Sequence, residues 1–366
     1  VDQGQAFIAG YSDAEDRVIR HDLPLVIFGD HTRCVKYVDF PFVLGADGTK
    51  VLKPKEDLFD AKFFYYALLS LDIPNRGYNR HFTLLKEKQI PQPEKNEQRK
   101  IAGVLGVVQR AIKQQERLLQ FTTELKNTLL HQLFTQGMRG ELQKQTEIGP
   151  VPVSWEVRAI EELNLDVGDG NYSTKYPRKE DFLTEGVPLV RANNLVDGRL
   201  VWDDMRYISA ELHAELTKGH LKTDDVCLVT RGNIGQVAFV TEDFVGANMN
   251  AQLVRLNGRG AIDGKFLYFA LTHPAAQKQF KSLQTGTALQ QLPLGKLKFV
   301  RLPLPSRAEQ AEIANTLWLV DVRRDTIQRK RRALTDLFRT LLHQLMTAQI
   351  RVHDLDLPKL EGVTTE

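Results

Sequence analysis

Thr128-Leu129-Leu130-His131-Gln132-Leu133 recurs letter for letter as Thr340-Leu341-Leu342-His343-Gln344-Leu345. The offset, 340 against 128, is 212 residues and holds without a gap well upstream of the hexapeptide. Ile90-Pro91-Gln92-Pro93 falls on Leu302-Pro303-Leu304-Pro305, Glu97-Gln98 on Glu309-Gln310, and Leu105 on Leu317. Each copy is a short apolar strand or turn ending in Pro-x-Pro, then a Glu-Gln pair, then some forty residues without proline. Proline fixes φ and biases its predecessor toward extended backbone, so Pro93 and Pro305 suit the start of a long helix just afterwards. Helices are expected from about Lys95 to Gln136, ending at Gly137 and Gly140, and from about Ala308 to Ala348.

The second helix shows what it is for. Ile313, Val320, Ile327, Leu334 and Leu341 are spaced by seven, with Leu317, Leu337 and Leu345 beside them. A sustained seven-residue apolar spacing is a coiled-coil seam. In the first copy these positions are Ile101, Val108, Gln115, Thr122 and Leu129, with Leu105, Leu118, Leu119 and Leu125 assisting. Two helices of equal length, each needing burial, are expected to pair within the chain. A single amphipathic helix lying on its own domain is the plainer alternative.

The rest of the chain repeats around them. Leu25-Val26-Ile27-Phe28 reads as a buried strand breaking at Gly29-Asp30-His31-Thr32; Asp225 to Thr230 is its counterpart, breaking at Arg231-Gly232-Asn233-Ile234-Gly235. Val187 to Arg191 reads as a further strand. Lys62 to Leu71 is a helix with an aromatic face, mirrored by Lys265 to Thr272 at an offset of 203 (265 against 62). Polar loops follow each, Asn75 to His81 and Ser282 to Gln291, and Gly168 to Ser173 reads as another loop. The organisation is a tandem of α/β (α+β) region and long helix. Its segments are 1–90, 91–140, 149–300, 301–350 and a tail, 351–366.

Bulk properties exclude little more. The 366 residues suffice for two ordinary domains, and 42% hydrophobic with 26% charged residues is a globular composition. Net charge is only +3, so distribution matters more than total. Cys34 and Cys227 lie in apolar runs and are expected to be buried free thiols in a reducing cytoplasm. No apolar run is long enough to span a bilayer and no signal peptide opens the chain, whose first residue, Val1, points to a processed or cut start.

Catalytic motifs are missing. Arg259 stands where a phosphate loop before Gly264-Lys265 needs glycine, and Phe266 where it needs Ser or Thr. No dinucleotide, zinc-protease or serine-hydrolase signature is present, and Glu124-Leu125-Lys126 sits on a long helix without an acidic partner nearby. The polar loops instead carry side chains that read base edges and phosphates. In the second half these are Lys175, Arg191, Asn193, Asn194, Arg231, Asn233, Thr285, Thr287, Gln290 and Gln291. In the first half they are His31, Thr32, Arg33, Asn75, Arg76, Asn79, Arg80 and His81. Taken singly, each is as well explained by a capped turn or a solvated loop; their matching places make nucleic acid the stronger reading. The run Arg323, Arg324, Arg329, Lys330, Arg331, Arg332 is a solvated helix face or a partner-docking face.

The pattern Val300-Arg301-Leu302-Pro303-Leu304-Pro305 with Glu309-Gln310 and Ile313, the Arg-Gly-Asn-Ile-Gly run after a strand, and Gly149-Pro-Val-Pro-Val-Ser-Trp155 resemble the DNA-specificity subunit of type I restriction–modification systems. The resemblance covers nearly the whole chain in two copies. It implies two target-recognition domains, each reading half of a split double-stranded DNA site, and an antiparallel coiled coil between the helical regions that carries methyltransferase (modification) subunits. It further implies a non-catalytic chain without cofactor or metal. S-adenosylmethionine, ATP and magnesium would serve partner methyltransferase and restriction/translocase subunits. The first recognition domain is expected to lack a counterpart of Gly149 to about Trp202. A coiled-coil scaffold with protein-binding domains is the rival expectation.

Overall fold

The computed structural model describes residues 1–45, 47–77, 79–170, 176–287 and 289–355. It divides into two compact units: Val1–Leu119 with the chain from Thr326, and Gln120–Asp325. Each unit combines one globular region with part of each long helix.

The first unit is built on β1 (Leu25–Gly29), buried throughout because every residue in it is apolar or glycine. Strands β2 (Val35–Val38) and β3 (Thr49–Leu52) flank it, both antiparallel. Helix α1 (Ala61–Leu69) lays Phe63, Tyr66 and Leu68 on this sheet. Asp60 caps α1, its carboxylate accepting from the backbone N–H of Lys62 and Phe63.

The second unit repeats and extends this frame. Its sheet contains β4 (Asp166–Asp169), β5 (Leu195–Val196), β6 (Arg199–Leu200), β7 (Val226–Val229), β8 (Val237–Phe239) and β9 (Leu253–Asn257), in the order β5-β6-β8-β7-β9-β4. As in the first unit, a fully buried strand, β7, lies between its hairpin partner β8 and the antiparallel β9. Helix α3 (Gly264–Thr272) packs on it, capped by Asp263 as α1 is by Asp60. A further sheet places Val187–Val190 between Arg206–Ile208 and Asn248–Met249. Gly168 and Asp169 lie on β4 rather than in a loop. A Cβ at Gly168 would stand 3.1 Å from Arg255 Nε, a tight contact that the crossing guanidinium would have to relieve by a small shift. Cys227 is buried on β7, whereas Cys34 precedes β2 and is only partly covered.

The long helices run Lys95–Gln136 (α2) and Arg307–Met346 (α4). In the first unit Ile101 and Leu105 of α2 share a core with Leu342, Leu345 and Met346 of α4. In the second unit Leu130 and Phe134 of α2 share one with Ile313 and Leu317 of α4. Early residues of one helix meet late residues of the other in both, so the pairing is antiparallel. Val108, Leu129, Val320, Leu334 and Leu341 are half-buried, and Ile327 is buried.

The seven-residue seam holds, since Ile101, Val108, Gln115, Thr122 and Leu129 on one helix and Ile313, Val320, Ile327, Leu334 and Leu341 on the other are all buried or half-buried. Three of the leucines expected to assist it do not. Leu118, Leu125 and Leu337 are 43%, 49% and 46% exposed, while Gln115, Lys126 and Asp321 are buried. Lys126 stands on the seam itself, 21 residues after Leu105 and seven before Leu133, so a strict heptad already turns it inward. Leu118 and Leu125 face outward because each lies one residue before a seam position, Leu119 and Lys126. Lys126 Nζ meets the Asp321 carboxylate at 2.7 Å and lies over the rings of Tyr268 and Phe269. Burial lowers the Lys126 pKa, with Asp321 opposing.

The Glu-Gln repeats receive a meaning here. Gln98 and Gln310 are buried at the starts of the long helices. Gln98 accepts from the backbone N–H of Asp60 at 2.7 Å and donates to the Leu58 and Pro93 carbonyls. Gln310 accepts from Asp263 N–H at 3.0 Å and donates to the Pro305 carbonyl. Each glutamine ties a long helix to the cap of the helix on its sheet. Glu309 accepts from the Trp155 indole at 3.0 Å, which explains that buried tryptophan.

Candidate nucleic-acid interface

Both units join the turn after the buried central strand to the loop that follows the aromatic helix, and they do so alike. In the second unit the Thr230 carbonyl accepts from Leu292 N–H at 2.9 Å, while Thr230 N–H donates to Gln252 at 2.8 Å. In the first, the Asp30 carbonyl accepts from His81 N–H at 2.8 Å, and Asp30 N–H donates to Gly48 at 2.8 Å.

In the second unit the joined loops bring candidate readers together. Thr285 and Gln291 exchange two backbone hydrogen bonds of 2.9 Å, closing a short hairpin, and Arg231 forms a β-bridge with Gln291. Gly286 makes the turn at φ +92°, where a Cβ would meet the Leu289 carbonyl at 2.4 Å. Arg231, Asn233, Thr287 and Gln290 are exposed; Thr285 and Gln291 are half-buried. Rigid backbone with exposed donors and acceptors can hydrogen-bond base edges or phosphates without reordering. Lys175 lies outside the described residues.

A second cluster forms where the segment 191–194 meets the turn before Arg206–Ile208. Arg191 Nη2 donates to Asp204 Oδ2 at 2.8 Å, and Asn193 Nδ2 donates to the same oxygen at 3.2 Å. The hydrogen bond from Arg191, with its charge, holds the Asp204 carboxyl below the usual carboxylate range. Asn194 differs from its neighbours. It is fully buried, accepts from Arg191 N–H at 3.0 Å and donates to the Asp203 carbonyl at 2.9 Å. It shapes the loop and presents nothing to a ligand, so of the three only Arg191 and Asn193 are placed as surface groups.

In the first unit, Arg76, Asn79 and Arg80 are exposed on the loop after α1. His81 is buried; its Nε2 accepts from Arg76 N–H at 3.2 Å, so Nδ1 carries the proton toward the Asp30 carbonyl at 2.9 Å. Asp30 accepts from the N–H of His81 and Phe82, both at 2.8 Å. Arg33 donates to the Ile73 carbonyl at 2.9 Å, and Thr32 Oγ1 donates to the Gln3 carbonyl. Arg33 and Thr32 therefore hold the turn together, with His31 half-buried beside them. Asp30 was invisible as a sequence candidate; its only signal was its place at the end of a buried strand.

Among the described residues there is no group of three or more metal-ligating side chains, and no helix is long and apolar enough to cross a membrane.

A family model described as the type I restriction modification DNA specificity domain matches residues 152–335. The chain is 24% identical over 274 residues to the type I restriction enzyme MjaVIII specificity subunit of Methanocaldococcus jannaschii, covering 73% of this chain and 63% of that one. It is 23% identical to the EcoBI specificity subunit of Escherichia coli, covering 76% and 62%. The chain thus spans less than two thirds of the length of either relative. The crystal structure of a type I restriction–modification S subunit from M. genitalium shares its fold, with TM-score 0.66, 18% identity and coverage of 94% and 87%. A structure reported for complex assembly and conformational transition of the type I system aligns with TM-score 0.51 at 16% identity, covering 90% and 82%.

Proposed function

The chain belongs to the type I restriction–modification DNA specificity family, and from that premise we propose that it recognises a bipartite site in double-stranded DNA as a non-catalytic subunit. The observation that carries this reading is the repeated loop junction: in each unit a turn and a loop are hydrogen-bonded together and present exposed Arg and Asn side chains. Two such readers in one chain suit a site in two halves. Arg231, Asn233, Thr287 and Gln290 are the second unit's readers; Arg76, Asn79 and Arg80 are the first unit's. Methyl transfer, ATP-driven translocation and cleavage then fall to methyltransferase and restriction subunits, which bring S-adenosylmethionine, ATP and magnesium.

The test is binding of the full chain to duplex DNA across a salt series. A phosphate-neutralising interface releases counterions, so log Kobs falls linearly with log salt at about −0.9 per phosphate contacted. A steep slope supports the reading. A flat one returns the chain to a scaffold whose globular regions bind protein.

A further inference from the structure

The cluster around Asp204 has more donors than the local fold requires. Besides Arg191 and Asn193, the Arg206 guanidinium stands 3.8 Å from Asp204 Oδ1 and lies over the Phe182 ring. Two guanidiniums and an amide thus converge on one carboxylate, and that carboxylate is 62% exposed. Closure of the loop does not depend on it. Asn194 bonds the carbonyls of Val201 and Asp203, and Arg191 also donates to the Asp204 backbone carbonyl. Exposed ion pairs of this kind contribute little to stability. The same turn carries Trp202, 47% exposed and stacked on Phe244.

A planar guanidinium fork beside a second cation and an amide is the donor set that holds a phosphate oxygen. We propose that this cluster is a phosphodiester-binding site whose donors are held, in the free chain, by the Asp204 carboxylate standing in for a DNA phosphate. The proposal rests on the DNA-recognition reading above and deepens it. A phosphate arriving with the correct half-site takes over the donors of Arg191 and Asn193 while Asp204 turns to solvent. DNA without base contacts must displace the same carboxylate with nothing to offset it. Asp204 therefore weakens non-specific binding.

The experiment uses the full chain and a labelled duplex of random sequence, followed by fluorescence anisotropy over a salt series. Asp204→Asn keeps the backbone carbonyl, keeps a side-chain acceptor and tolerates the left-handed φ of +50°. It should raise affinity up to about fivefold at low salt, the factor that an exposed ion pair represents. It should also steepen the salt slope by about one phosphate's worth. Adding Arg191→Ala should abolish the gain. Asp336→Asn, which removes an equal charge from an exposed site on α4, should leave affinity nearly unchanged. Asp204→Gly repeats the test should Asn disturb the turn. Unchanged or weaker binding by both Asp204 variants overturns the proposal, as does a gain that survives Arg191→Ala or is matched by Asp336→Asn. Failure of the wild-type chain and the Asp204 variants alike to bind any duplex would instead overturn the DNA-recognition reading on which it rests.

Discussion

Removing one member of the buried Lys126–Asp321 pair should have consequences that depend on which member is removed. Asp321 has a second partner, since Arg324 Nη1 lies 3.2 Å from its Oδ1. Among the described residues no second carboxylate pairs with Lys126; it lies over the rings of Tyr268 and Phe269, and Arg324 and Arg199 lower its pKa further. Asp321→Leu thus leaves an ammonium buried beside cations, which should destabilise the second unit by about 3–5 kcal/mol. Lys126→Met leaves Asp321 with Arg324 and should cost about 1–2 kcal/mol, within the ordinary range for a core substitution. The double variant removes both charges from an apolar setting and should lie within about 1 kcal/mol of wild type, because a buried ion pair and a well-packed apolar pair are often equivalent. All three tryptophans, Trp155, Trp202 and Trp318, belong to the second unit. Their fluorescence in a urea titration therefore reports that unit alone. Additive losses, or a greater loss from Lys126→Met than from Asp321→Leu, would refute the account.

Other expectations follow from single groups. Burial pushes the His273 pKa down to about 4 from an ordinary 6.5, with His131 adding to the effect. The unfolded chain therefore takes up a proton near pH 6.5 that the folded chain refuses, and stability of the second unit should fall by about 2–3 kcal/mol as pH drops from 6.5 toward 4. His273→Asn, which can still cap the helix that follows, should flatten that limb of the urea-midpoint profile; an unchanged slope assigns it to other groups. Arg231→Ala should weaken binding to the specific DNA site by about 1–3 kcal/mol if the guanidinium reads a base edge, and unchanged affinity in a titration would remove it from the interface. Gln310→Ala should unfold the second unit at lower urea by about 1–3 kcal/mol, since Asp263 N–H and the Pro305 carbonyl lose a buried partner; a midpoint equal to wild type would show that water replaces it.

What the sequence made legible was whatever rests on local chemistry. The start of α2 at Lys95 and of α4 within a residue of Ala308 follows from Pro93, Pro305 and the absence of later proline. The buried strand at Leu25–Gly29 follows from an unbroken apolar run bounded by turn formers. The hidden parts depend on partners distant in sequence. Asn194 and Asn193 are the same residue type in adjacent positions; only the carbonyls of Val201 and Asp203 make the first structural and leave the second at the surface. Gln98 and Gln310 were visible as a repeat, but their role needed the amides of Asp60 and Asp263. Lys126 falls on the seven-residue series that runs from Leu105 to Leu133, but Asp321, the partner that makes its burial tolerable, is distant in sequence.

The one repeat carries two different junctions, one in each unit. The 212-residue offset maps Lys126 onto Phe338 and Asp321 onto Gln109. The second unit buries Lys126 over Phe269 and its ion pair beside Tyr268. The first unit packs Phe338 against Tyr66 with the rings tilted and their centroids 6.0 Å apart, and has Gln109 accept from the Tyr66 hydroxyl at 2.9 Å while donating to Tyr65 at 3.0 Å. Each set is complete only because α2 faces α4. Two copies of α4 in the same register would set Asp321 against Phe338, and two copies of α2 would set Lys126 against Gln109. Either arrangement buries a charge without its counter-charge, which is strongly unfavourable. The apolar seam alone would accept any of these pairings, since both helices present similar stripes. The substitution of a charged pair at one junction and a neutral one at the other therefore does what apolar burial cannot, and selects α2 with α4.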